Sequence, residues 1–415
     1  MQPFHGSRTV YPEVFEKSCA SASRCKLYWL NRMKIAIDAH AIGRHLTGNE
    51  VYVRSLLTGL AAVDRQSEYL AYVSVPGVET LIPPGMQVKH VSNNPFIRLG
   101  VDLPRRLRAD KPDVVHVQFT GPLTCNVPEI VSVHDVSFLE HPEYFHWERS
   151  AQLRLTVRRT VNRAARVLTG SEFARQSILR AYNIDPDKVV TIPIAANPIF
   201  RPLPRDRSQR EVRDRLKIDG PFILTVGDLQ PRKNHVGLIH AFEALVQNHP
   251  QIKQKLVLAG KDTWFAPQIR EAARQSRVAD RILFTGFVED NDLLKLYNAC
   301  DCFVFPSFYE GFGIPILEAM ACGRAVACAN TSSMPEVADG AGILFDPTSK
   351  SEIVRALADI LLDTELRNRL ERLGLQRAPQ FTWNRTAERT LELYQEVAEA
   401  TRKSPVAVPV ASMRR

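Results

Sequence analysis

The sequence contains two successive series of short apolar runs, and each series alternates with stretches of helical periodicity. The first series comprises "KIAIDAH", "YLAYVSV", "VVHVQF", "EIVSVHD" and "RVLTGS", and the second "FILTVGD", "KLVLAG", "RILFTG", "CFVFPS", "AVACAN" and "AGILFD". Most runs end in Gly, Ser, Asp or His, which suit the loops at strand ends. Buried strands that alternate with helices build doubly wound parallel sheets. The pattern therefore predicts an α/β fold with two such domains in succession.

The length of 415 residues agrees with two domains, because it exceeds what one ordinary core accommodates. Three prolines within "NPIFRPLPRDRSQ" mark the joint between the domains. We predict an N-terminal domain over 33–200, a C-terminal domain over 201–380 and a final amphipathic helix over 381–400. Residues 1–32 are predicted to be a disordered extension, and residues 401–415 a disordered tail.

The composition excludes some classes of protein. No apolar run approaches the ~18 residues of a membrane-spanning helix, so we expect no transmembrane segment. The seven cysteines are an odd, scattered set without metal-type spacing, which agrees with a reducing cytoplasm. Cys300 and Cys302 lie in an apolar run and are predicted to be core residues.

Basic residues are concentrated in "WERSAQLRLTVRRTVNRAARVL", within a chain whose formal net charge is +9. One interpretation is the solvated face of an amphipathic helix. The other is attraction to anionic lipid headgroups, as in peripheral enzymes. Aromatic residues for base stacking are missing from the segment, so we expect no nucleic-acid partner. The expected location is the cytoplasm, and the second interpretation adds peripheral contact with the inner face of the membrane.

The stretch "FYEGFGIPILEAMACG" at 308–323 places Glu310 and Glu318 eight residues apart. Pro315 suits the first turn of a helix, which predicts a helix from about Ile314 to Gly323. Glu310 then lies in the loop before this helix and Glu318 one turn inside it. The amides at the start of a helix favour anions, and the small residues before it allow close backbone approach.

Two basic residues follow another strand end. Arg232 and Lys233 come directly after "FILTVGDLQP", and Asn234 is placed to cap the next helix. The two cations and the helix amides can bind phosphates, whereas the two acids accept hydrogen bonds from hydroxyls. A ligand with hydroxyls at both ends and phosphate between them is a nucleotide sugar.

These residues carry a resemblance to a known family. "EGFGIPILEAMACG", "GDLQPRKN" and "SSMPEVADGAGILFDP" resemble conserved elements of the retaining GT-B glycosyltransferases of family 4, and the similarity extends from 33 to about 396. The resemblance implies two Rossmann-like domains that face a cleft, with the acceptor on the N-terminal domain and the nucleotide-sugar donor on the C-terminal one. It also implies a C-terminal helix that crosses back to the first domain.

The family pattern implies roles for residues of the second domain. Glu310 would contact the donor sugar and Glu318 the ribose, while Arg232 and Lys233 would bind the diphosphate and neutralise it as the bond to the sugar breaks. The remaining donor-binding residues would be Gly311, Phe312, Gly313 and Ile314 before and at the helix start, and Gly286 and Val288, whose backbone would line the base.

In the first domain, the resemblance implies two further site residues. Gly48 in "TGNEVYV" would allow its backbone to approach the donor phosphate and the acceptor. His134 in "VSVHDVSF" matches a histidine near the reacting carbon. The chain departs from the family in two places. Asp228 stands where many members have arginine, so the diphosphate would depend more on Arg232 and Lys233, and "GNEVY" replaces a sequence closer to "GIGRY".

Metal dependence is the next question. The chain contains "DPD" at 185–187 and "DND" at 290–292, which resemble the D-x-D metal site of another glycosyltransferase fold. The first is predicted to lie in a turn, and the second to cap the helix "DLLKLYNAC". Because the helix dipole and the two cations can stabilise the leaving group, we predict chemistry that needs neither a metal nor another cofactor.

The donor and the acceptor are less well defined. The chain resembles the branch of GDP-mannose-dependent mannosyltransferases that build polysaccharides and O-antigens, whereas enzymes that use UDP-glucose, UDP-N-acetylglucosamine or dTDP-rhamnose share much of the pattern. A saccharide or a lipid-linked acceptor is expected. A nicotinamide-dependent oxidoreductase would need G-x-G-x-x-G after the first strand, which "DAHAIGRHLTGNE" does not supply. A sugar-nucleotide binder without turnover is disfavoured because both glutamates and the lysine are present.

Overall fold

The computed structural model describes residues 32–44 and 47–403, with Thr47 described by its backbone alone. The predicted N-terminal extension and C-terminal tail lie outside the described residues, apart from residue 32 and residues 401–403, which continue the last helix. Within the described ranges, no helix is both long enough and apolar enough to cross a bilayer.

The N-terminal half builds a sheet of seven parallel strands. Its strand order is β3-β2-β1-β4-β5-β6-β7. The strands are β1 (Lys34–Asp38), β2 (Glu68–Val73), β3 (Gln87–His90), β4 (Val114–Gln118), β5 (Glu129–Ser132), β6 (Arg166–Thr169) and β7 (Val189–Thr191). Every residue of β4 and β5 is buried. The central strands are therefore shielded from solvent along their whole length, as expected for a sheet covered on both faces.

The C-terminal half builds a second parallel sheet, of six strands. Its strand order is β10-β9-β8-β11-β12-β13. The strands are β8 (Phe222–Val226), β9 (Lys255–Ala259), β10 (Ile282–Gly286), β11 (Cys302–Phe305), β12 (Val326–Ala329) and β13 (Ile343–Phe345). Cys300 and Cys302 are fully buried in the core of this domain. Together with the first sheet, this topology confirms the predicted fold of two doubly wound α/β domains.

Helices cover the faces of both sheets. The helices of the first half are α1 (Thr47–Val63), α2 (Pro95–Ile97), α3 (Leu103–Asp110), α4 (Ser137–Glu140), α5 (Trp147–Arg163) and α6 (Glu172–Tyr182), with a π-helical turn at Arg98–Asp102. Those of the second half are α7 (Arg205–Leu216), α8 (His235–Asn248), α9 (Ala266–Gln275), α10 (Asp290–Ala299), α11 (Ile314–Ala321), α12 (Met334–Ala338), α13 (Lys350–Leu362), α14 (Thr364–Arg377) and α15 (Trp383–Lys403). Short 3-10 helices occur at Glu79–Leu81, Pro142–Tyr144, Pro186–Lys188, Pro231–Lys233, Ala279–Arg281 and Ala378–Gln380.

Two predicted helix caps are wrong. Asn234 occupies the position before α8, but its backbone is left-handed with φ of 53° and its side chain caps no helix. Its Nδ2 instead donates a hydrogen bond of 2.8 Å to the carbonyl of Pro347. In the second case, Glu289 occupies the position before α10, and 290–292 form the first turn of that helix. For Asn234, backbone geometry and a distant partner decided the outcome, and a local residue pattern contains neither.

The last helix, α15, packs against α1 of the first domain. Thr386 donates a hydrogen bond of 2.7 Å to the carbonyl of Pro193. Further along, the Tyr394 hydroxyl lies 2.6 Å from Nδ1 of His116, on β4. The helix thus follows the second domain in sequence and is anchored on the first domain by buried polar contacts.

A glycine allows α1 and α15 to approach closely. A Cβ atom added at Gly59 would lie 2.7 Å from the carbonyl oxygen of Trp383 and 3.0 Å from Cβ of Ala387. Only a residue without a side chain fits between these backbones, so the packing of the C-terminal helix depends on this position.

Gly59→Ala is therefore expected to destabilise the protein, although the same change in an exposed helix stabilises it by roughly 0.5–1 kcal/mol. Overpacking here should lower the free energy of unfolding by about 1–3 kcal/mol. The measurement is chemical denaturation of the variant, with Thr58→Ala, an exposed neighbour in the same helix, as the control. Equal or higher stability of the Gly59 variant would show that the two helices are not held at this distance.

Candidate functional site

The candidate site lies at the carboxyl ends of the strands, where the two domains meet. The loops after β8 and β11 supply most of its charged residues, and the loop after β5 supplies residues of the first domain. Ligands of doubly wound sheets bind at this edge, because the loops between strands and helices diverge there.

Arg232, Lys233 and Glu310 form one ion-paired cluster. Lys233 Nζ lies 2.7 Å from Oε1 of Glu310, and Arg232 Nη1 lies 2.7 Å from Oε2. Each carboxylate oxygen therefore has its own cation. Arg232 also donates a hydrogen bond of 2.5 Å to the carbonyl of Tyr309, which fixes the guanidinium beside the loop. The structure brings together three residues that the sequence analysis had assigned to one ligand.

The charges of this cluster depend on each other. Burial alone would raise the pKa of Glu310, but the positive charges of Arg232 and Lys233 outweigh burial and hold that pKa at about 2. Burial likewise opposes the charge of Arg232, yet the attraction of Glu310 and then of Asp135 raises its pKa. For Lys233, burial prevails and lowers the pKa. Arg232 is thus the permanent cation of the pair, and Lys233 is the more readily neutralised one.

The stem of Lys233 reaches the cluster across a glycine. A Cβ atom added at Gly227 would lie 3.1 Å from Cε and 3.2 Å from Cδ of the lysine. The ammonium group also lies 4.8 Å from the centre of the Phe305 ring, at the end of β11. Gly227, the glycine directly after β8, therefore has a packing role, because it leaves room for the stem of Lys233.

Two serines hold the loop that carries Glu310. The backbone N–H of Glu310 donates to Oγ of Ser332 at 2.9 Å. Ser333 Oγ lies 2.8 Å from the carbonyl of Glu310 and 2.9 Å from that of Phe312. The sequence analysis assigned no role to either serine. The signal was present in "SSMPE", a segment that resembles the family, but the partners of the hydroxyl groups could not be read from it.

Glu318 is buried on α11 and has a single polar partner among the described residues. The hydroxyl of Tyr297 donates a hydrogen bond of 2.8 Å to its Oε2. Burial raises the pKa of Glu318 to about 7, and the Tyr297 hydrogen bond offsets only part of that effect. This glutamate therefore differs in charge state from Glu310, which has two cations beside it.

The first domain contributes His134 and Asp135. A Cβ atom added at Gly311 would lie 2.0 Å from the carbonyl oxygen of His134, so the two loops touch through their backbones. Burial lowers the pKa of His134 to about 4, although Asp135 opposes the shift. Its Nε2 is buried and has no hydrogen-bond partner within the described part of the chain. Asp135, which attracts Arg232, is a site residue that the sequence analysis missed.

A ring contact followed by a chain of buried hydrogen bonds links His134 to the last helix. The ring of His134 lies 4.4 Å from that of Tyr52, centre to centre. The Tyr52 hydroxyl lies 2.9 Å from Oγ of Ser132, and the same oxygen lies 2.7 Å from Nε2 of His116. Because His116 also contacts Tyr394, the C-terminal helix supports the packing around the histidine.

The other predicted residues lie at the same edge but outside the ion-paired cluster. Gly313 has φ of 103° and precedes Ile314, the first residue of α11. Gly286 ends β10, two strands away from β8, with φ of 70°, and Val288 follows it. Gly48 lies in the first turn of α1, where a Cβ atom would meet open space. These positions fit a ligand that extends well beyond the three charged side chains.

Two further contacts join the domains beside the site. Ser171, which caps α6 through the N–H of Ala174, also donates a hydrogen bond of 2.6 Å to the carbonyl of Gly311. The N–H of Glu172 donates to the Glu336 carboxylate at 3.0 Å, so a carboxylate of the second domain binds the helix start of the first. Among the described residues, no three His, Cys, Asp or Glu side chains form a group that could hold a metal ion.

Two family models match the chain. The model described as Glycosyltransferase Family 4 matches residues 40–198, and the model described as Glycosyl transferases group 1 matches residues 208–377. The first match lies in the half with the seven-stranded sheet and the second in the half with the six-stranded sheet. Between them, the two models match most of both domains.

Individual proteins show the same relationship. O-antigen chain mannosyltransferase B of Escherichia coli is 33% identical over 270 residues, which cover 64% of this chain and 69% of that protein. Serotype-specific mannosyltransferase WbdA of Escherichia coli is 32% identical over 250 residues, which cover 58% of this chain but only 30% of WbdA. The solved structure of sucrose-phosphate synthase from Thermosynechococcus elongatus has a similar fold, with a TM-score of 0.71 and 21% identity over 89% of this chain and 100% of that chain.

The paired family models, and the match to most of the length of mannosyltransferase B, show that the chain belongs to the GT-B glycosyltransferases of family 4, in the branch that resembles mannosyltransferases.

Proposed function

We propose that this glycosyltransferase transfers mannose from GDP-mannose to a saccharide or lipid-linked acceptor, with retention of anomeric configuration, in polysaccharide or glycolipid biosynthesis. The observation that carries the reaction type is the cluster of Arg232, Lys233 and Glu310, which places two cations and a carboxylate at the strand ends. The two relatives named for mannosyl transfer support the choice of sugar.

The two cations suit a leaving diphosphate. As the bond from the sugar carbon to the phosphate oxygen breaks, the electron pair stays on that oxygen and negative charge grows there. Arg232 and Lys233, held in a buried site, then stabilise the transition state more than the ground state. In this proposal they do so without a metal ion, and Glu310 keeps them in position before the donor binds.

The proton of the acceptor hydroxyl goes to the leaving diphosphate. Glu310 is a weak base, because its two cations hold its pKa at about 2. The phosphate oxygen that gains the electron pair is the stronger base and lies next to the reacting carbon. If the hydroxyl attacks from the side of this oxygen, its oxygen bonds to the carbon, its proton moves to the diphosphate, and the configuration is retained.

Hydrogen-bonding groups would recognise the rest of the donor. With its pKa lowered to about 4, His134 is uncharged near neutral pH, so its free Nε2 suits a sugar hydroxyl better than proton transfer. Glu318 would accept hydrogen bonds from the ribose hydroxyls. The backbone around Gly286 and Val288 would line the base, and Gly48 would leave room for phosphate and acceptor at the start of α1.

The proposed reaction is tested with purified protein and a panel of donors: GDP-mannose, UDP-glucose, UDP-N-acetylglucosamine, dTDP-rhamnose and NADH. We expect nucleotide release only from GDP-mannose, and NMR should show that the new linkage in the product is α. If the nucleotide is released from another nucleotide sugar instead, that sugar nucleotide is the donor. A β-linked product would contradict retention of configuration. If the protein binds a donor but releases no nucleotide with any saccharide or lipid-linked acceptor, it is a binder without turnover. Oxidation of NADH would indicate an oxidoreductase.

Lys233→Met is expected to lower kcat by about 10²- to 10³-fold, because it removes a charge that acts on the leaving group. The methionine keeps an apolar stem across Gly227, and Arg232 remains beside Glu310. The control is Lys295→Met, a lysine that pairs with Glu211 at 2.9 Å and contacts no site residue. Wild-type kcat in the Lys233 variant would exclude the role, and loss of wild-type activity in EDTA, restored by magnesium, would overturn metal-free chemistry.

Donor affinity is expected to fall as the pH drops from 8 to 6. Burial raises the pKa of Glu318 to about 7, and the ionised carboxylate accepts stronger hydrogen bonds from ribose than the acid form does. If only the ionised form binds tightly, Kd for the nucleotide rises about tenfold at pH 6. Glu318→Gln should bind more weakly and show no such slope. The measurement is isothermal titration calorimetry of the nucleotide with the wild type and the variant. If Kd depends on pH equally in both proteins, Glu318 does not bind the ribose.

A further inference from the structure

Five large apolar side chains are strongly exposed on one side of the first domain. Phe96 is 77% exposed, Leu155 74%, Val101 55%, Leu123 55% and Ile97 48%. Single exposed hydrophobic residues are common, but a group of them marks an interaction surface.

Hydrogen bonds join the three segments that carry these residues. The N–H of Leu123 donates to the carbonyl of Leu99 at 2.7 Å, which connects the 120s loop to the 96–101 segment. Arg159, one helical turn after Leu155, donates to the carbonyl of Leu123. The hydroxyls of Thr120 and Thr156 lie 3.2 Å apart. The apolar side chains thus belong to one continuous surface.

The exposure pattern of 96–101 is inverted relative to an ordinary surface segment. Arg98 is only 4% exposed and turns toward Asp38, with its Nε 3.8 Å from Oδ2. Phe96, Ile97 and Val101 face outward instead. Folding alone favours the opposite arrangement, because water solvates an arginine and does not solvate a phenylalanine. The segment is therefore adapted to an apolar environment outside the protein.

The surroundings of this surface are basic. Arg105, Arg154 and Arg158 are exposed and have no carboxylate partner within the part of the chain that the structure describes. The nearby acids are engaged elsewhere: Asp102 accepts a hydrogen bond from the N–H of Ser92, and Asp110 pairs with Lys89. An apolar centre with unpaired arginines around it matches the boundary between acyl chains and anionic headgroups.

We propose that this surface, Phe96, Ile97, Val101, Leu123 and Leu155 with Arg105, Arg154 and Arg158, docks the enzyme onto an anionic bilayer. The apolar side chains enter the headgroup boundary and the arginines contact lipid phosphates. A second copy of the chain is a poor occupant, because a two-fold contact would bring arginines against arginines. The inference rests on the proposed function in one respect: docking holds the acceptor-side domain next to a lipid-linked acceptor.

The test is flotation of the full chain with vesicles of phosphatidylcholine alone or mixed with phosphatidylglycerol. We expect binding only to the mixed vesicles, and at least tenfold weaker binding in 0.5 M than in 0.05 M salt. Two variants, Phe96→Ser with Leu155→Ser and Arg154→Gln with Arg158→Gln, should each lose at least tenfold in binding. Leu362→Ser and Arg210→Gln, exposed positions of the second domain, serve as controls and should bind like the wild type.

Other outcomes overturn the surface. The docking proposal is excluded if the protein binds neutral and anionic vesicles equally. It is also excluded if both double variants bind the anionic vesicles as tightly as the wild type does. Association of the chain with itself in sedimentation, abolished by the same variants and unaffected by lipid, would assign the surface to a dimer instead. Sugar transfer to a short water-soluble acceptor separates the two proposals. Vesicle binding without transfer would support the docking surface and contradict the proposed function. Transfer without vesicle binding would support the function and contradict the docking surface.

Discussion

The ion pairs of Glu310 with Arg232 and Lys233 are the interaction on which the site depends. Two buried cations side by side repel each other and lose their hydration, and the carboxylate between them offsets both costs. That carboxylate is fixed in turn by Ser332 and Ser333, through the backbone of its own loop. The two cations and the carboxylate are therefore fixed relative to each other by contacts within the protein.

The contact between the domains places the first domain's groups against this cluster. The backbone of His134 touches Gly311, and Ser171 and the α6 start bind Gly311 and Glu336. These contacts include the loop that carries Glu310, so the packing of the first domain helps to hold the ion pairs in position. The C-terminal helix adds to this coupling from behind the sheet, through Tyr394 and His116.

The two glutamates of the site illustrate how position sets chemistry. Both are buried, yet the pKa of Glu310 falls to about 2 beside its cations, while burial outweighs the Tyr297 hydrogen bond and raises that of Glu318 to about 7. One residue type thus provides an anion that pairs with two cations and a carboxyl group that titrates near neutral pH. Position also sets the exposure of two neighbouring residues in the first domain, where Arg98 is buried and Phe96 is exposed.

The sequence by itself determined the two α/β domains, because buried parallel strands and amphipathic helices leave local periodicities that need no partner to be recognised. It also predicted which loops carry Arg232, Lys233 and Glu310, since the strand ends and the glycines before α11 are local features. Only the tertiary structure decided that Glu310 pairs with Arg232 and with Lys233, which is 77 positions away, that Asp135 attracts Arg232, and that Asn234 binds Pro347 and caps no helix. The physical reason is that a hydrogen bond or an ion pair depends on the distance between two groups, and only the packing of the whole chain sets that distance.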